Sequence, residues 1–345
     1  MNATAPIPPS ASLPAELAAR LVRHADLRPC TTAFIDARTP GSDRKENFTI
    51  IGPGVAENPD QHVHIREPHG FNIGGARQPP HCLNSQHSHE TAEVFVVLSG
   101  TWRFTTGARK EGGWVILEPG DTISIPTQIF RGFENVGADT GFLYAVLGGD
   151  DPGRVSWAPD VIERAAGHGL VLLESGRLVD THKGEAVPAD DPPVKPMTPE
   201  EMTRFRSVTN EEIAACVVRR PAVRPSPASP LAGPGVSEAP IIGPASPAEG
   251  LPAGPLSWLH GFHLRRLDLE PGASVRPHRR QEEEVLFVTE GRLRVTLEGG
   301  VVEMGPGDTF TVPKGARREF ANPGAWRAEM FVTRGGDAPA APTWG

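Results

Sequence analysis

The chain is poor in cysteine, in charge runs of one sign and in long apolar stretches, and each shortage excludes a class of protein. Three cysteines, Cys30, Cys82 and Cys216, are far apart and never form a CxxC pair. Neither a disulfide framework nor a thiolate zinc site is therefore encoded. The 34 basic and 42 acidic residues leave a formal charge of -8 without any Lys/Arg-rich run, so the electrostatic footprint of a nucleic-acid binder is missing. Nowhere do 18 apolar residues follow one another, and the opening MNATAPIPPSASLP has neither a basic nor an apolar export region. A cytoplasmic protein, with no membrane or nucleic-acid partner, is the expectation.

What is abundant is turn chemistry. Gly (38) and Pro (37) punctuate short apolar runs at EPGD, GPGD, LSG and TEG, a pattern of strands and turns that marks a mainly β class. Strands are expected over 93–98, 113–117, 122–125 and 142–147, and again over 285–289, 292–297, 301–304 and 309–312. The two sets are copies of one unit. Gly70, Phe71, His87, Glu93 and Gly100 recur as Gly261, Phe262, His278, Glu284 and Gly291, a constant offset (278 − 87 = 284 − 93 = 191). After a loop four residues shorter (318 − 131 = 187), Gly120, Asp121, Pro126, Arg131 and Asn135 recur as Gly307, Asp308, Pro313, Arg318 and Asn322. Each copy, with eight or so short strands, suits a closed jelly-roll barrel.

Outside the copies, Ser12 and Pro14 predict a helix over about 14–24, and helix starts are expected near Ala158, Thr198 and Thr209. Pro221 to Pro255 is dominated by Pro, Ala, Gly and Ser and reads as a linker or long surface loop. The domain reading is 1–150, a metal-binding barrel with its N-terminal helix; 151–255, a helical connector and linker; and 256–345, a second barrel with a decayed metal site.

His87 and His89 alternate along a strand and so point to one face, and Glu93 shares their parity. Two imidazoles and a carboxylate with open positions suit Fe(II) first, with Zn, Mn, Ni or Cu as alternatives. In the second copy Arg280 replaces the second His, while Arg276, Arg279, Arg317 and Arg318 stand among Glu282, Glu283 and Glu284. Mutual ion pairing, or else an anion site, is expected there.

These residues resemble the motifs of the cupin superfamily. Its first motif, HxH, a Glu after three or four residues and a Gly after six more, is met by His87, His89, Glu93 and Gly100; its second is met in part by Gly120, Pro126 and Asn135. The resemblance implies a bicupin, two double-stranded β-helix barrels, with one divalent metal per chain. Where the family's fourth ligand, a His, belongs, this sequence has Arg131, and Gln128 replaces the turn Gly. Arg131 cannot ligate. It either anchors a substrate anion or turns outward to Glu134; Arg103 and Arg77 are substitutes for the anchor, and His62, His64, His69 and His81 for the ligand. With Phe95, Phe133 and Gln128 it makes the expected substrate site. The barrel arrangement is similar to that of gentisate-type dioxygenases, which implies a non-haem iron dioxygenase using O₂ on a small anionic, possibly aromatic, substrate, and a homo-oligomer. A redox-neutral decarboxylase, lyase or isomerase, or a non-catalytic binding cupin, is the alternative.

Overall fold

The computed structural model describes residues 13–345. The chain divides into two compact units, Arg28–Pro221 and the described part of Met1–Leu27 with Ala222–Gly345. Each is a jelly roll of two facing sheets.

In the first unit, a five-stranded sheet runs in the order Val155–Trp157, Leu83–His89, Arg131–Asn135, Trp102–Thr106, Trp114–Leu117. Facing it, a seven-stranded sheet is built around Thr122–Ile125, Glu93–Ser99, Gly141–Gly148, Phe71–Gln78 and Glu46–Ile51. Alternation does the sorting. In Trp102–Thr106 the first, third and fifth residues are buried and the others are not, as a strand with one face in the core requires. The core between the sheets is aromatic, with Phe95, Trp102, Phe104 and Phe133 in mutual edge and tilted contacts at 5.2–5.8 Å. Such rings each remove a large apolar area from water.

The expected strands are present with shifts of a residue or so at their ends. The connector carries the helices Pro159–Ala166, Pro199–Met202 and Asn210–Ala214. The last two begin at Thr198 and Thr209 with complete capping boxes closed by Glu201 and Glu212, the reciprocal bonding that the spacing foretells.

Two expectations fail in the second unit. The N-terminal helix is a single turn, Ala15–Ala18, without a side-chain cap from Pro14, and Ser12 lies outside the described residues. Leu21–Val22 then runs as a strand on Thr309–Val312, pinned where Arg23 reaches Asp308 at 2.7 Å. Continuing the helix would forgo those ladder bonds, so tertiary pairing overrides propensity. The N-terminal segment accordingly belongs with the second barrel, not the first.

Likewise, the Pro-rich stretch is not a bare linker. Val236–Ile242 is an edge strand paired with Phe262–Leu269, and its Pro240 sits at a register shift. An edge strand tolerates Pro because the missing N–H would face away from the ladder. No helix among the described residues is long and apolar enough to cross a membrane.

Candidate metal centre

His87 and His89 end the strand Leu83–His89 of the five-stranded sheet, and Glu93 opens Glu93–Ser99 in the opposite sheet. Parity along one strand thus brings the two imidazoles together, whereas a three-residue turn carries the carboxylate across the barrel to face them. Their ligand atoms all lie within 4.8 Å of one another, and all three side chains are buried. His89 Nε2 is 3.4 Å from Glu93 Oε2. His87 Nδ1–H donates to the Ser85 carbonyl at 2.7 Å, which leaves Nε2 as the free lone pair; a bond of this kind sets the tautomer of a metal-binding imidazole. Trp157 packs on the His87 ring at 5.4 Å.

Burial keeps both imidazoles neutral. It pushes His87 down to about 3, helped by the nearby Arg131 charge, and holds His89 well below its ordinary value with Arg131 and His87 adding to the effect. Burial raises Glu93, and Arg131 opposes that rise. Neutral imidazoles and a carboxylate are the forms a divalent cation takes. His62, His64, His69 and His81 do not join the cluster; His62 and His64 pack on each other, and His81 is exposed in a left-handed turn.

Arg131 points inward. Paired with His87 across the sheet, it is 1% exposed and donates through Nη2 to Glu93 Oε2 at 2.7 Å. Glu134 instead takes Arg103, and Glu46 takes Arg77, so the outward pairing with Glu134 does not occur and both substitute anchors are engaged elsewhere. Nor does Arg131 line the cavity. That space, about 70 Å³, is bounded by the three cluster residues together with Phe95 and Phe133 among others. Gln128 lies outside it. The residue is exposed at φ +60° in the turn after Pro126, and its carbonyl accepts from the Arg206 amide. It does the turn Gly's work in the left-handed region and contributes no cavity wall.

In the second barrel the corresponding positions carry a different chemistry. His278, Arg280, Glu284 and Arg318 are at most 1% exposed. Arg280 and Arg318 approach Glu284 at 3.7 and 3.8 Å. The tighter pairs were missed by sequence: Glu249 receives Arg265 and Arg280 at 2.5 Å and Arg334 at 3.0 Å, and Glu238 receives Arg265 at 3.4 Å. Burial would raise Glu249, but Arg265, Arg334 and Arg280 together hold it down at about 2. Arg276 stacks on Trp344, Arg279 pairs with Glu298, and Arg317 donates to the Gly345 carbonyl. Fixed guanidinium charge occupies the place of a metal.

The chain matches the family model described as a cupin domain twice, over residues 76–147 and 265–334. No curated protein matches. Among solved structures it resembles an R92A mutant of Bacillus subtilis oxalate decarboxylase: 13% identity, 94% of this chain and 79% of that chain covered, TM-score 0.55. It also resembles the formate complex of the Lactobacillus farciminis oxalate decarboxylase, at 11% identity, 93% and 87% coverage and TM-score 0.54. A Bacillus subtilis oxalate decarboxylase described for its Mn(II) centres matches at 12%, 94%, 79% and 0.54.

Proposed function

We propose that this chain, a bicupin by its two cupin-domain matches, is a metal-dependent enzyme processing a small carboxylate in its N-terminal barrel, by a decarboxylase-type reaction. The observation that carries this reading is the buried His87–His89–Glu93 cluster opening on a cavity, whereas the corresponding site of the second barrel is closed by arginines. The likeness to oxalate decarboxylases turns the choice from an iron dioxygenase to the redox-neutral alternative, with manganese ahead of iron.

His87, His89 and Glu93 would hold the metal, which when bound supplies Lewis acidity toward a carboxylate oxygen. Arg131 neutralises Glu93 and orients it. Charge then favours an anion: a carboxylate (−1), a guanidinium (+1) and a divalent ion (+2) sum to +2 in a buried space, and such a surplus recruits a counter-charge. Phe95 and Phe133, with Ile73 and Leu147, wall the cavity with apolar surface. They exclude water, which strengthens every electrostatic interaction inside.

Elemental analysis with paired assays tests the reading. Manganese, with carbon dioxide release from a small carboxylate and no net oxygen uptake, supports it. Iron with stoichiometric oxygen uptake returns the dioxygenase reading, which the 2-His-1-carboxylate donor set favours on its own.

A further inference from the structure

Beside the metal cavity, the same unit holds a larger chamber of about 360 Å³. Gly54, Val55, Ala56, Val155 and Trp157 line both spaces, so the two meet along this shared wall. The indole of that wall is fixed: Trp157 is 2% exposed, and its Nε1–H donates to the buried Glu57 carboxyl at 2.5 Å. The far side of the chamber comes from the connector, where Leu172, Leu173, Val194 and Met197 give an apolar lining. These residues lie outside both stretches that match the family model. At the rim stand the exposed Glu90, Arg154 and Lys195. Arg154 is anchored on the Glu174 carbonyl at 2.6 Å. Two cations against one anion give the approach a positive bias, which draws anions toward the mouth.

Size makes the chamber informative. The inner cavity of about 70 Å³ has room for about two water molecules, at the roughly 30 Å³ each takes in the liquid, or a handful of ligand atoms. It suits a carboxylate head and little more. The chamber, by contrast, falls at the lower end of the roughly 300–1,000 Å³ typical of small-molecule sites.

We propose that the chamber is a second subsite that receives the body of the substrate. The ligand class is a carboxylic acid with an apolar aryl or medium-chain body: its carboxylate enters the inner cavity past the Val55, Ala56, Val155 and Trp157 wall, and its body rests on the connector. This assignment rests on the metal-centre reading for the position of the carboxylate. It makes the connector the determinant of specificity, so that this bicupin selects acids larger than a two-carbon diacid.

Calorimetric titration of the manganese-loaded full chain with acetate, butanoate, hexanoate and phenylacetate tests it. Affinity is expected to rise at least tenfold from acetate to the larger acids. Met197→Trp, which fills the chamber far from the cluster, should erase that gain while changing acetate affinity less than twofold and leaving the metal content intact; Val194→Phe should act alike, and circular dichroism checks the fold of both. Affinity independent of body size in the unmodified protein, or a size preference that survives both filled variants, overturns the chamber. Chelator-treated protein separates the two readings. If acids then bind as before with the same size preference, the metal-bound carboxylate is wrong and the chamber stands; at least a tenfold loss across the series supports both.

Discussion

Glu57 offers the sharpest physical test of the first barrel. Its carboxyl is buried and accepts from Trp157 Nε1–H at 2.5 Å and from the Ile35 amide at 2.7 Å. Burial nevertheless dominates these bonds and pushes its pKa up from 4.5 to about 8. The native state therefore keeps a proton that the unfolded chain releases above pH 4.5, and stability must fall as pH rises from 4.5 to 8. A gap of 3.5 units at about 1.36 kcal/mol each sets a ceiling of about 5 kcal/mol. Glu57→Gln removes the titration but points an amide N–H₂ at one of the two donors, a loss of about 1–3 kcal/mol. The variant should be less stable than the parent at pH 5, and the order should reverse by pH 9. Urea midpoints of the metal-free chain, followed by tryptophan fluorescence at unit intervals from pH 5 to 9, measure the crossing. Parallel curves, with a stability difference constant within about 0.5 kcal/mol, would refute the argument that burial governs this group.

Elemental analysis should find about one metal per chain, lost in His87→Ala and His89→Ala and retained in His278→Ala; loss in the last would place a metal in the second barrel. Arg131→Leu strips Glu93 of its buried counter-charge, so the metal-free protein should lose about 3–5 kcal/mol in urea melts, and manganese should restore much of it; equal losses with and without metal would deny the shared role of Glu93. Arg131→His, adding a third imidazole as a fourth ligand, should tighten metal binding and lower activity, and unchanged turnover would argue against it. In the second barrel Glu249→Gln should destabilise by about 3–5 kcal/mol, since three guanidinium groups lose their partner, without altering metal content. Subtilisin, which cuts with little sequence preference, should cleave first in the exposed 181–187 stretch rather than in 221–255, where Val236–Ile242 is held in a sheet; first cleavage within 236–242 would contradict the strand.

Much of this molecule is local and therefore readable from sequence. The motifs repeated at an offset of 191 can be read by comparing the chain with itself, and the strand and turn punctuation, the capping boxes at Thr198 and Thr209 and the HxH pair each depend on neighbours within a few positions, where periodicity and hydrogen-bond chemistry act directly. So does the decay of the second site, because Arg280 stands where an imidazole is needed.

Long-range partners are another matter. Nothing near Arg131 in the chain says that Glu93, 38 positions away, accepts from it, or that Gln128 faces solvent. Pro221 to Pro255 has the composition of a linker, yet its Glu238 and Glu249 close an ion network with Arg265, Arg280 and Arg334. A buried guanidinium needs a counter-charge from wherever the fold can bring one. The sequence by itself determined the two β barrels, their duplicated origin and the residue types of a metal site in the first. Only the tertiary structure decided which sheet carries Glu93, which carboxylates meet the arginines and how much space lies beside His87, because charge pairing and cavity volume depend on three-dimensional proximity, which spacing along the chain does not encode.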